Sequence, residues 1–213
     1  MTLKEVIDTL EIKELVGELW GEIESGLNNN EMLISSEKSL VFKFAWLLHL
    51  KAEEKLSNVD FEIALYGVDF SDGKFLDLYF EIEIQGSNYK VGIEFKFPNK
   101  KVSNSGQTQV RQKIINDIKR LNHLVNENRI DLGIFLCATN EKYYSINKKR
   151  IEPHFETYHG VRYLSGDYFP INPKYSHNVQ ISSDIAFLWR NKEIINDNYF
   201  SFLEPIYIEK KDE

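Results

Sequence analysis

The stretch Phe75-Leu-Asp-Leu-Tyr-Phe-Glu-Ile-Glu-Ile-Gln-Gly-Ser-Asn-Tyr-Lys-Val-Gly-Ile-Glu-Phe-Lys-Phe97 decides the fold. Leu78, Phe80, Ile82 and Ile84 alternate with Asp77, Tyr79, Glu81 and Glu83. Val91, Ile93, Phe95 and Phe97 then alternate around Glu94 and Lys96. Period-two alternation of this length is the signature of half-buried strands. Gly86-Ser87 suits a two-residue hairpin loop with glycine first. With that loop, paired residue numbers sum to 173, which puts Asp77 opposite Lys96 and Tyr79 opposite Glu94. Opposed side chains share a face, so Asp77, Glu94 and Lys96 form one polar patch on an otherwise apolar ribbon. A shift of the turn by one residue is expected to take Asp77 off that face.

Outward from the hairpin, Ser35 or Ser36 caps a helix over about 36–56, with Leu40, Val41, Phe44, Leu47 and Leu48 as its apolar stripe. Glu37 lies on the same side, one turn earlier. A first-turn acid is favoured by the helix dipole alone, so the position has a structural as well as a functional explanation. Residues 59–66 alternate weakly and are expected to form a strand. Pro98 stops the hairpin's second strand. Gln107 to Asn126 reads as a helix with Val110, Ile114, Ile118, Leu121 and Val125 inside and Arg111, Lys113, Lys119 and Arg120 on the polar side. Asp131 to Thr139 is a nearly continuous apolar run, a strand buried on both faces. The order from residue 36 to 139 is α-β-β-β-α-β.

Before this core, residues 3–25 form a helix, with Leu3, Val6, Ile7, Leu10, Leu19 and Ile23 at roughly helical spacing. After Asn140 the pattern weakens. Ile181 to Trp189 fits either a helix or a strand, and Tyr199 to Ile208 fits a last strand. The whole is read as one domain, 1–213, with its core at about 35–140 and the N-terminal helix and the 141–213 extension packed on it.

Composition bounds the partners. With 42% hydrophobic and 28% charged residues the chain fits a water-soluble globular class. It carries no apolar run of membrane-spanning length and no charged-then-apolar leader, so a cytoplasmic location and no membrane partner are expected. Cys137 is the single cysteine, which excludes an internal disulfide and a cysteine-rich zinc site; in its apolar run it reads as core. The five histidines show no zinc spacing. Net charge is −7, but Lys96 to Arg150 holds twelve basic and four acidic residues, a local +8 against −15 elsewhere. Such asymmetry marks either a nucleic-acid-facing side or a lysine-rich solvated surface.

Two carboxylates with a lysine suit metal-dependent phosphodiester hydrolysis. Asp77 and Glu94 can ligate Mg²⁺, which needs only one or two protein carboxylates, and Lys96 can stabilise the charge that develops on phosphate. The string Glu-x-Lys by itself has no weight: it occurs at Glu11, Glu53, Glu94 and Glu209. Only Glu94-Phe95-Lys96 lies on a convincing core strand with an acid paired across it. An ordinary Asp–Lys cross-strand pair on a wet face accounts for the same residues, and Glu81 and Glu83 on that face favour it.

The element order, Asp77, the sixteen-residue spacer and Glu94-x-Lys96 together resemble the PD-(D/E)xK nuclease superfamily, the restriction-endonuclease-like fold. The helix carrying Asp117, Arg120 and Leu121 is similar to the Asp-x-x-Arg-Leu helix of putative bacterial nucleases in that group. The resemblance covers residues 35–140. It implies a mixed central sheet flanked by helices and Mg²⁺-dependent cleavage of DNA, with Mn²⁺ as a substitute metal. It also implies Asp77 and Glu94 as metal ligands, Lys96 as the catalytic lysine and Glu37 as the helical acid of the metal site. A role in restriction or other defence follows from the same likeness. Gln109 and Arg111, at the start of the helix after the motif, are candidate nucleic-acid contacts, as are Lys100 and Lys101 in the loop before it. Leu76 stands where the family motif has proline. The superfamily also holds inactive relatives and RNA-directed members, so a catalytically silent nucleic-acid- or protein-binding module is the alternative. A homodimer is compatible with either reading. The motif does not distinguish an endonuclease from an exonuclease.

Overall fold

The computed structural model of the chain describes residues 3–64, 75–99, 107–146, 155–168, 179–181, 183–190 and 199–210. Helix α1 (Leu3–Asn28) and helix α2 (Glu37–Ala52) precede the strands β1 (Leu56–Ile63), β2 (Leu76–Ile84) and β3 (Ser87–Lys96). Helix α3 (Gln107–Asn126) then leads to β4 (Leu132–Thr139). A short helix α4 (Lys142–Ser145) opens the C-terminal part. That part holds short strands: β5 (Arg162–Tyr163), β6 (Gly166–Tyr168), β7 (Val179–Ile181), β8 (Ile185–Ala186), β9 (Ser201–Phe202) and β10 (Ile206–Ile208). From α2 to β4 the order is the expected α-β-β-β-α-β.

The main sheet runs β1-β2-β3-β4-β10, with β9 pairing the end of β4. β1, β2 and β3 form an antiparallel meander, β3 and β4 are parallel, and β10 returns antiparallel. The sheet is therefore mixed. The parallel step is what requires α3, because two parallel neighbours need a crossover connection.

Helices cover both faces. On one face Leu78, Phe80, Ile82, Val91, Ile93 and Phe95 pack against α1 and α2. On the other, Phe135 and Cys137 pack against α3 and the C-terminal segments. β4 is buried at every position, as its continuous apolar run requires. Gly92 and Gly133 sit side by side across the β3–β4 pair on the α3 face. A Cβ at Gly133 would come within 3.1 Å of the Leu121 Cβ. The missing side chain at Gly133 thus lets α3 lie close on the sheet, while a Cβ at Gly92 would meet Ile130 and Leu76.

Three expectations are corrected. The hairpin loop is Gln85-Gly86, one residue earlier than expected. Both residues have positive φ, 49° and 78°, the conformation of the two-residue turn whose twist matches the strands, with glycine in second place. Leu78 consequently faces Ile93 and Glu83 faces Asn88, so paired numbers sum to 171. Moving a two-residue loop by one residue changes each pairing by two. Face membership is conserved, and Asp77 keeps company with Glu94 and Lys96. Second, the inner stripe of α1 is Ile12, Val16, Leu19, Trp20, Ile23 and Leu27, while Ile7 and Leu10 are about half exposed. Helical spacing counted back from Ile12 lands on Asp8 and Thr9, and both are buried. Third, Arg120 is buried rather than on a polar side. The last expected strand, 199–208, is broken into β9 and β10, and 181–189 holds only short strand segments.

Phe44 and Phe95 meet edge to face at 5.4 Å and fasten α2 to β3. Phe44→Ala is expected to lower unfolding free energy by about 3–5 kcal/mol in urea titration. Phe42→Ala, on the exposed face of the same helix, is expected to change it by about 0.5 kcal/mol or less.

Candidate active site

The C-terminal end of β3 meets the N-terminus of α2 and the middle of α3. In open α/β sheets this rim, beyond the carboxyl ends of parallel strands, is where ligands bind. Four carboxylates and two cations converge on it: Glu37, Asp77, Glu94, Asp117, Lys96 and Arg120.

Each is fixed by its own element. Ser36 is the N-cap of α2, and its hydroxyl accepts from the Ser39 amide while the Ser39 hydroxyl accepts from the Ser36 amide. That cap places Glu37 at the first helical position. From there Glu37 Oε2 accepts from the Phe97 amide at 3.2 Å and Oε1 lies 3.4 Å from Lys96 Nζ. The β2–β3 ladder ends at Leu78 and Ile93. Beyond it Asp77 Oδ2 accepts from the Phe95 amide at 2.7 Å, so a side chain replaces a backbone partner. Lys96, only 14% exposed, lies 2.7 Å from Asp117 Oδ2 and donates to the Phe95 carbonyl at 2.8 Å.

Glu94 is 1% exposed, and Arg120 of α3 lies 3.2 Å from its Oε1. The same guanidinium contacts Asp117. An unaccompanied carboxylate at that depth would cost several kcal/mol. Arg120 offsets much of that cost, and Asp117 holds both Arg120 and Lys96 in place.

Charge is nevertheless in negative excess. Burial, with the fields of Asp117 and Asp77, pushes the Glu94 carboxyl well up from the ordinary carboxylate range despite Arg120 and Lys96. Burial and neighbouring acids also raise Asp77 and Glu37, against the pull of Lys96 and a backbone amide each. Asp77 and Glu94 are near enough to share a hydrogen bond when one is protonated. For Lys96, burial acts to discharge the ammonium, but the surrounding carboxylates outweigh it and keep the group charged. All three raised carboxyls hold a proton more tightly in the folded chain than in the unfolded one. Their ionisation therefore weighs against folding increasingly as pH rises through their folded values.

All four expected catalytic residues, Asp77, Glu94, Lys96 and Glu37, thus lie in one cluster. The candidate nucleic-acid contacts do not converge on it. Gln109 is exposed at the start of α3. Arg111 turns inward, donating to the Tyr143 carbonyl and lying 5.7 Å over the Tyr144 ring. Lys100 and Lys101 lie outside the described residues. Asp117 and Arg120 are the residues that the sequence reading left out of the site. Their signal was present, since Asp117 is three residues after Ile114 and four before Leu121, on the flank of the buried stripe.

Among the described residues no three His, Cys, Asp or Glu side chains are grouped to hold a metal ion, and no helix is long and apolar enough to cross a membrane. Comparison with family models, with curated proteins and with solved structures gives no match.

Arg120→Leu is expected to lower stability by about 3–5 kcal/mol at pH 7.5, because it leaves buried acids uncompensated. The loss should be smaller at pH 5, where Glu94 can take up a proton. Urea titrations at the two pH values measure both effects.

Proposed function

We propose that the chain is a metal-dependent nuclease that hydrolyses DNA phosphodiester bonds, on a restriction-endonuclease-like core. The observation that carries this reading is the convergence of Asp77, Glu94 and Lys96 with Glu37 at one rim of the sheet. The α-β-β-β-α-β order through which they converge supports it. The donor set fits a hard divalent cation. Its oxygens are crowded, partly desolvated and in negative excess, and two carboxylates with water and phosphate suffice for Mg²⁺. Asp77 and Glu94 would hold the ion and Mn²⁺ would substitute; with Glu37, expected as a further donor, the three carboxylates are not grouped to hold it together. When bound, such an ion supplies polarisation of the phosphoryl oxygens and an activated water.

The chain's own residues supply the rest. Lys96 remains an ammonium across the physiological range and offers positive charge to the phosphate as its charge develops. Asp117 holds that ammonium at a fixed position. Arg120 orients Glu94 and prevents its carboxylate from turning away. A restriction or defence role is consistent with this chemistry.

One observation favours the alternative, a catalytically silent binding module. Glu94 is paired with Arg120 and Lys96 with Asp117, so two members of the site are internally compensated. The two readings separate in an assay of single- and double-stranded DNA and RNA with Mg²⁺, Mn²⁺ or EDTA. The nuclease reading expects cleavage that EDTA abolishes and that Asp77→Ala or Lys96→Ala lowers by at least about 100-fold, the scale of removing one transition-state charge partner. Cleavage surviving either substitution would overturn the site.

Metal binding has its own readout. Mg²⁺ is expected to raise the melting temperature at pH 8, and the increment should shrink as pH falls because protons compete for the raised carboxyls. Asp77→Asn should abolish the increment.

A further inference from the structure

Helix α2 presents a second face to solvent. Phe42, Trp46 and Leu50 follow one another at four-residue intervals, with 58%, 52% and 61% of their surface exposed. The Phe42 and Trp46 rings lie 6.4 Å apart and within 18° of parallel. Opposite Phe42, edge strand β1 presents Phe61, 43% exposed. A cleft of about 300 Å³ runs between Val41 and Phe42 on one side and Phe61 and Glu62 on the other. Its walls also include Lys38, Glu37 and Asp77, so the aromatic cleft and the carboxylate cluster are continuous.

The occupant can be argued from these features. A second copy adding a strand to β1 is disfavoured by the edge itself. The β1 ladder is irregular between Ser57 and Asp60, and Asn58 and Glu62 are both left-handed, at φ 52° and 51°. Those are devices that blunt an edge against strand addition. What remains on offer is ring faces rather than backbone. The volume is at the lower bound of small-ligand clefts, too small for a helix and sufficient for one flat ring system with its sugar. Two aromatic walls from different elements suit a planar, polarisable group. At the lip Lys38, 84% exposed at its side chain, is paired with Glu62 at 2.8 Å, and the acids at Glu37 and Asp77 adjoin the same space.

We propose that this cleft holds an unpaired nucleobase of a single-stranded nucleic acid, stacked between Phe42 and Phe61, with Trp46 as the platform for the next base. A base buried in a stack is not available to such a cleft, so the substrate class is single-stranded or locally unpaired nucleic acid. The proposal rests on the nuclease reading for the identity of the reacting bond, at Asp77 and Glu37, while the binding is measurable without cleavage.

The test is fluorescence anisotropy in EDTA with a labelled single-stranded oligonucleotide and its fully paired duplex. Wild type is compared with Phe42→Leu, Phe61→Leu and Trp46→Leu, which keep apolar bulk on exposed positions and remove the ring face. Stacking predicts that each variant weakens single-strand binding roughly 5- to 150-fold, that Phe42→Trp restores it, and that the duplex binds more weakly with little response to the substitutions. Trp20 and Trp189 are buried, so quenching of fluorescence by the single strand should vanish in Trp46→Leu. Unchanged single-strand affinity in the leucine variants overturns the proposal, as does absence of single-strand binding. A wild-type dimer in sedimentation that these variants dissociate also overturns it, since the face then belongs to a second copy. Ring-dependent binding without cleavage in any metal would sink the nuclease reading and keep the cleft's assignment. Cleavage that is indifferent to all three rings would do the reverse.

Discussion

Glu94 is a carboxylate buried deep in this fold, and its burial shapes what surrounds it. A carboxylate 1% exposed is costly without a cation beside it; Lys96, two residues on along β3, bears on it from the same side, and the cation in direct contact comes from another element. Arg120 arrives from α3. For its guanidinium to lie within 3.2 Å of Glu94, the helix axis must run close to the sheet. Gly133, where a Cβ would come within 3.1 Å of the Leu121 Cβ, permits that approach. A buried charge, a helix position and an absent side chain are thus one constraint seen at three levels. Asp117 completes it by neutralising Arg120 on one side and Lys96 on the other.

The layers follow from the same place. β3 has neighbours of both senses, antiparallel β2 and parallel β4. Its carboxyl end therefore faces the start of β2, where Asp77 stands, rather than another strand end of the same polarity. The crossover needed for the parallel partner is the helix that carries Asp117 and Arg120. The opposite layer contributes Glu37 only because the α2 cap fixes the first turn over Phe97. Residues 57 positions apart in the chain, Glu37 and Glu94, share a site because one helix begins where one strand ends.

Much of this was legible in the sequence, and the failures have physical causes. Period-two alternation identified β2 and β3 because polar side chains occupy one face of each, even where that face is buried as at Glu94, and the continuous apolar run identified β4 because it is buried at every position. The hairpin loop was misplaced by one residue, since Gly86 suits either the first position of one turn type or the second of another. Both turns match the strand twist, and composition alone does not choose between them; the chain takes the second, with Gln85 and Gly86 both at positive φ. The error left the site intact because side-chain faces depend on the parity of the pairing, and a one-residue shift of a two-residue loop preserves parity. Arg120 was assigned to the polar side of α3 because charge outranked position. Burial of Arg120 depends on Glu94, and that long-range partner is invisible to a helical pattern. On α1, the apolar Ile7 and Leu10 drew the stripe to the wrong side, whereas the polar Asp8 and Thr9 are the buried positions, Asp8 accepting from the Tyr89 hydroxyl.

A net charge of −7 sits awkwardly with a polyanionic substrate, and the proposed cleft offers a resolution. Affinity gained from phosphate contacts requires clustered cations and falls steeply with salt. Affinity gained from stacking on ring faces requires neither. Several of the basic side chains that could have met phosphate are engaged within the fold: Arg111 with Tyr143, Arg120 with Glu94, and Arg190 with Glu24 and Glu204. The exposed groups near the carboxylate cluster include Phe42, Trp46 and Phe61, beside the Lys38–Glu62 ion pair. On the proposed reading, an acidic chain arranged in this way would hold a strand by its bases and present acids to the backbone, where a divalent cation would mediate between carboxylate and phosphate. Repulsion between the acidic surface and DNA would then act as a filter. It would weaken non-specific electrostatic binding to duplex and leave an unpaired base, which carries no charge of its own, as the feature for the proposed cleft to grip.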